Sequence, residues 1–109
     1  MVKAYISGPI EGTEDYKERF KRAEKKMKEL GYAPVNPVKI FKRLPKGMER
    51  EEYLEIAITL LKTCDCIFML EGWEEDINAE IEFEYAYEHS ISITFEGGKL
   101  CPESQSRQG

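Results

Sequence analysis

Val2-Lys3-Ala4-Tyr5-Ile6-Ser7-Gly8-Pro9-Ile10-Glu11-Gly12 carries the first decision about architecture. The run VKAYIS is short and rich in strand formers, and Gly8-Pro9 stops it. Thr13 or Glu14 then opens a helix that reaches Leu30, because Tyr16, Phe20, Ala23, Met27 and Leu30 recur at three- and four-residue steps. Gly31 follows, where a helix end often needs a left-handed residue. Tyr32–Asn36 (YAPVN) reads as a second short strand, and Pro34 inside it argues for the edge of a sheet.

Working outward, Val38–Gly47 reads as a basic loop, and a second helix spans about Arg50 to Lys62 with Tyr53, Leu54, Ala57, Ile58 and Leu61 on its apolar side. Asp65–Leu70 (DCIFML) is a continuous apolar run, as expected of a buried parallel strand. Ile77–Glu88 is a third helix and Ser90–Phe95 a fourth strand. The predicted domain is therefore 1–96, and the Gly/Ser/Gln-rich segment 97–109 reads as a flexible tail. Alternating strands and helices imply right-handed βαβ units. The fold class is α/β: a flavodoxin- or Rossmann-like open parallel sheet of about four strands with helices on both faces. Such sheets bind ligands beyond the carboxyl ends of their strands. That directs attention to Gly8–Gly12, Asn36–Lys39, Glu71–Asp76 and the segment after Phe95.

Composition narrows the function classes. A chain of 109 residues has room for one small core. A net charge of -5 gives no basic footprint for nucleic acid or an anionic membrane. The positive charges of Lys17–Lys28 alternate with acids and read as a solvated helix face. Cys64, Cys66 and Cys101 do not make a disulfide framework. Cys64 and Cys66, two apart in the apolar run, are expected on one side of a strand as reduced, packed thiols. No leader or membrane-length apolar stretch stands out, so a cytoplasmic protein is expected. No metal site or cofactor is expected either, for no ligand spacing or cofactor motif is present.

Two segments could carry chemistry. Gly8-Pro9-Ile10-Glu11-Gly12 lets backbone approach a ligand, with free N–H groups at the helix start, yet it lacks the lysine of a phosphate loop. Its plain alternative is a strand–helix turn. Asp76-Ile77-Asn78-Ala79-Glu80-Ile81-Glu82-Phe83-Glu84-Tyr85-Ala86 is more informative. Asp76 can cap the helix. Glu82 shares a side with Asn78 and Ala86, whereas Glu80 and Glu84 are turned away and suit a solvent face. Trp73 either stacks on a planar ligand or packs in the core. His89, at a helix end, reads as a C-terminal cap.

These residues give the chain a resemblance to the nucleoside 2-deoxyribosyltransferase superfamily, especially its short bacterial and phage members. Tyr5-Ile6-Ser7-Gly8-Pro9-Ile10 resembles its opening strand and loop, and Asn36-Pro37 the segment after the second strand. Cys64-Asp65 with Leu70-Glu71-Gly72-Trp73-Glu74 is similar to the third strand and its exit. Glu82-Phe83-Glu84-Tyr85-Ala86 is similar to the helix of the nucleophilic glutamate.

The resemblance implies that Glu82 attacks C1′ of a deoxynucleoside, that Tyr5 orients it, and that Asp76 is an acidic site residue. Ser7, Gly8, Pro9, Ile10, Gly12, Asn36, Trp73 and Asn78 would bind substrate. Relatives that hydrolyse monophosphates carry an arginine in the first loop, where this chain has Glu11, and a hydroxyl residue at the position of Asp76. The resemblance thus favours a nucleoside over a nucleotide. The family aspartate that helps protonate the leaving base is Ala57 here. The implied function is transfer or hydrolysis at an N-glycosidic bond, the alternative a nucleoside- or nucleotide-binding module without turnover. A purely structural oligomer would leave Tyr5, Asp76 and Glu82 unexplained. The expected partners are a small-molecule substrate and further copies of the chain as a homodimer or larger homo-oligomer, with Tyr85, Tyr87 and the Tyr53–Leu61 stripe available to pack.

Overall fold

The computed structural model describes residues 1–98. Among them four parallel strands form one sheet in the order β2-β1-β3-β4: β1 (Lys3–Ser7), β2 (Ala33–Val35), β3 (Cys66–Met69) and β4 (Ser92–Phe95). Tyr5 stands opposite Val35 on one side and Ile67 on the other, and Ser7 opposite Met69. Ile67 is beside Ile93 at the β3–β4 seam. Pro34 lies on the edge strand, where its missing N–H costs no ladder bond.

The chain runs from β1 through α1 (Tyr16–Glu29) to β2, and returns by α2 (Pro37–Phe41) and α3 (Arg50–Lys62) to β3. A 3-10 turn (Trp73–Glu75) and α4 (Ile77–Glu88) then lead to β4. The two-residue period of β1 divides the core. Ala4 and Ile6 pack with Phe20, Ala23 and Met27 of α1 and with Cys66, Phe68 and Leu70. Tyr5 packs with Ile67 and Met69 against Ala57 and Leu61 of α3 and Phe83 and Ala86 of α4. Each fully buried large apolar side chain here contributes about 1.5–3 kcal/mol. Helices therefore cover both faces, as the alternation predicts.

Several local readings are corrected. Helix α1 starts at Tyr16, with Thr13 and Glu14 left in the preceding turn. It ends as the sequence suggests: Gly31 takes φ 93°, its N–H donates to the Lys28 carbonyl, and the Tyr32 N–H donates to that of Met27. The basic loop after β2 contains α2, which Asn36 caps by accepting the Val38 N–H at 3.0 Å while Pro37 takes the first turn. Cys64 and Cys66 are free thiols on opposite faces, because Cys64 precedes the strand and joins the α3/α4 core while Cys66 faces α1. Of the tail expected from residue 97, Gly97 and Gly98 complete a 3-10 turn with Glu96. Residues 99–109, Cys101 among them, lie outside the described residues. No described helix is long and apolar enough to cross a membrane.

Candidate active site

The strand order reverses between β1 and β3, so the exits of these two strands flank the sheet's natural ligand crevice. They lie very close together. A Cβ on Gly8 would sit 2.7 Å from the Leu70 Cβ, so the first exit needs glycine for space. Tyr5 and Ser7, two apart on β1, both point toward α4. Tyr5 Oη donates to Glu82 Oε2 at 2.7 Å, and Ser7 Oγ donates to Oε1 at 2.5 Å.

Glu82 is only 6% exposed, and no cation pairs with it among the described residues. Burial pushes its carboxyl up to about 7. The Ser7 and Tyr5 hydroxyls pull it down, and the charge of Asp76 adds to the rise. Burial, followed by the Glu82 charge, raises the Tyr5 hydroxyl well above its ordinary value, which keeps it a donor.

Asp76 joins the two exits. Its Oδ1 accepts the Ala79 N–H and caps α4, and its Oδ2 accepts the Ile10 N–H of the first loop, each at 3.0 Å. A recess of about 30 Å³ lies against Tyr5, Ser7, Gly8, Ala57, Asn78 and Glu82. It shares Ile10, Phe41, Asp76 and Asn78 with a cleft of about 430 Å³. The cleft is further walled by Tyr16, Val38, Met48 and Tyr53, with Glu11, Lys17, Lys42 and Arg50 adding charge. The cleft has the size of a small-molecule site, whereas the recess admits only about one water or the reacting edge of a ligand.

The fold thus brings together Tyr5, Ser7, Gly8, Ile10, Asp76, Asn78 and Glu82 from the sequence-predicted set. Pro9 and Gly12 lie in the same loop but line neither cavity. Asn36 is spent on capping α2 and on donating to Glu24 Oε1 at 3.1 Å. Trp73 lines neither cavity either. It stacks on Phe83 at 4.5 Å and approaches Phe95 at 6.0 Å, the packing alternative. His89 caps α4, its Nδ1 2.9 Å from the Tyr85 carbonyl. Sequence reasoning missed the cleft wall supplied by Phe41, Lys42, Met48 and Arg50. The available signal was position: this segment follows the carboxyl end of β2. No group of three His, Cys, Asp or Glu among the described residues is arranged to hold a metal.

Buried carboxylate, two hydroxyl donors and an adjoining cleft suit nucleophilic attack on a neutral electrophilic carbon. Among solved structures, the chain is similar to a 2-deoxyribosyltransferase from the psychrotolerant bacterium Bacillus psychrosaccharolyticus, described as a suitable biocatalyst for the industrial synthesis of antiviral and antitumoral nucleosides. The TM-score is 0.71 at 15% identity, over 92% of this chain and 77% of that one, a likeness of fold. No curated protein matches the chain. A family model matches residues 2–95, and the chain belongs to that family, described as Domain of unknown function (DUF4406).

Proposed function

We propose that the chain is an N-glycosidic-bond enzyme acting on deoxynucleosides, a 2-deoxyribosyltransferase or hydrolase with Glu82 as nucleophile. One observation carries the reading: a buried carboxylate that pairs with no cation among the described residues, held by two hydroxyls on the wall of a recess beside a ligand-sized cleft. A Glu82 oxygen forms the bond to C1′ as the C1′–N bond breaks, and the base leaves with that electron pair and takes up a proton from solvent water. A water or a second base then attacks C1′ and frees the carboxylate. Tyr5 and Ser7 hold the carboxylate in line, and Asp76 fixes the first loop against α4.

The fold similarity to a 2-deoxyribosyltransferase supports this reading. The preference for an unphosphorylated substrate that Glu11 and Asp76 implied is weakened, because Lys17, Lys42 and Arg50 line the same cleft. Both nucleosides and 5′-monophosphates therefore belong in the assay. Wild type should release free base from a deoxynucleoside panel, read by chromatography, and Glu82→Gln should not. Equal silence of the two against nucleosides and monophosphates would end the proposal.

Ala57 favours a second reading, a binding module without turnover. It is 2% exposed in the recess wall, where a base-protonating acid would otherwise stand. That reading expects nucleoside-induced thermal stabilisation with no product. We also propose self-association, with a changed face: Tyr85 is stacked on His89, Tyr87 on Phe83 and Tyr53 against Phe41, while Ile77 and Ile81 of α4 are 56% and 37% exposed. Light scattering should give a mass above the monomer's, and Ile81→Glu should lower it.

A further inference from the structure

We infer that Asn78 determines specificity by accepting a hydrogen bond from a sugar hydroxyl of the substrate, an inference that rests on the glycosidic reading of the Glu82 site. Among the described residues, the Asn78 Oδ1 is the one buried side-chain polar atom that meets no partner. Native structures satisfy nearly all such atoms, so the exception asks for a donor from outside the chain. Asn78 lines both the recess and the cleft. It stands one helical turn before Glu82 on the same face of α4, which makes the two side chains neighbours.

Among the described side chains that line the recess none supplies the missing donor, and Tyr16, Lys17, Lys42, Arg50 and Tyr53 line only the cleft. The Tyr5 and Ser7 hydroxyls donate to Glu82. Both oxygens of the Asp76 carboxyl are taken up accepting backbone N–H groups. Ala57 has no polar side-chain atom. The lining of the recess is therefore rich in acceptors, and a ligand that completes it must bring an O–H or N–H. With C1′ against Glu82, the leaving base lies on the opposite side of that carbon, so its N–H groups face away from the carboxylate. The C3′ hydroxyl lies on the ring face that Glu82 approaches, while the C5′ group projects from the face that carries the base. A 5′-phosphate has lost the proton at C5′ and would reach Asn78 only through the C3′ hydroxyl.

The test compares a deoxynucleoside with its 3′-deoxy and 5′-deoxy analogues, by base release and by thermal stabilisation in a Glu82→Ala background. Each is measured with Asn78 intact, with Asn78→Leu and with Asn78→Asp, which keeps the acceptor. With Asn78 or its Asp replacement, the analogue lacking the relevant hydroxyl should bind about ten- to a hundred-fold more weakly, and Asn78→Leu should bring the gap within about three-fold. Which analogue loses affinity tells C3′ from C5′. An undiminished gap in Asn78→Leu overturns the inference and leaves Asn78 a residue served by solvent. If Glu82→Gln still releases base, the glycosidic reading falls, while the binding comparison continues to judge Asn78. If no nucleoside stabilises any of these chains, the inference is wrong as well.

Discussion

Glu24 on α1 and Glu82 on α4 are both buried carboxylates, 9% and 6% exposed, yet their surroundings differ in kind. Lys39 Nζ lies 2.9 Å from Glu24 Oε2, Lys28 Nζ 3.3 Å from the same atom, and Asn36 Nδ2 donates to Oε1 at 3.1 Å. Burial pushes the Glu24 carboxyl up, but the hydrogen bonds from Lys39, Asn36 and Lys28 outweigh it and hold the group below its ordinary value. Glu82 meets two neutral hydroxyls and, among the described residues, no cation, and burial prevails. Glu24 is thus a charge used to pin α2 to α1. Glu82 is a charge held ready, at a cost in stability that a purely structural residue would not need.

The widest separation between the two should be in turnover. Glu82→Gln is expected to lower base release by about 10³-fold or more, as loss of a nucleophile does, whereas Glu24→Gln should leave it within a few-fold. Comparable rate losses in the two variants would erase the distinction.

Stability should separate them next, with a sign that depends on pH. The Glu82 carboxyl is raised from 4.5 to about 7, so the folded state binds its proton more tightly than the unfolded chain does. The contribution of Glu82 to stability is then full below about 4.5 and is lost as pH rises through about 7. Denaturant titrations at pH 4 and pH 8 should show Glu82→Gln gaining about 3 kcal/mol on wild type across that interval. A gain independent of pH would contradict the uncompensated charge.

Tyr5→Phe sharpens the comparison by removing one of the two donors that favour the ionised form. Base release should fall about ten- to a hundred-fold, and the acid limb of the rate profile should move to higher pH, since the Tyr5 bond lowers the Glu82 carboxyl. A slower enzyme with an unmoved limb would mean that Tyr5 only packs. The smallest effect belongs to Glu24→Gln. Lys28 and Lys39 are mostly exposed, so its loss should cost about 1 kcal/mol by thermal or urea unfolding.

Much of this arrangement is legible along the chain, and the illegible parts have identifiable causes. Apolar spacing places α3 at Arg50–Lys62 and α4 at Ile77–Glu88 without error, because each helix buries a continuous stripe. Helix α2 escapes the same reading because five residues hold too little periodicity, although Asn36-Pro37 carries the start signal. The side of α4 that carries Glu82 is readable too, since Glu80 and Glu84 fall a hundred degrees or more away and are exposed. Trp73 is open in the sequence to both a ligand-binding and a packing role, and it stacks on Phe83 and approaches Phe95, whereas Asn36, expected to bind substrate, caps α2 and donates to Glu24.

By itself, then, the sequence determined the order of the four strands and of the three longer helices, and the edge position of the proline strand. These follow from local periods of two and 3.6 residues and from the stereochemistry of proline and glycine. Tertiary structure alone decided which buried glutamate is neutralised and which is not, that the cysteines face apart, and that Asn78 keeps an unmet acceptor. Those outcomes depend on partners as far as 77 residues away along the chain. Desolvation and pairing act through space, and no local period encodes which side chains the folded sheet brings within reach.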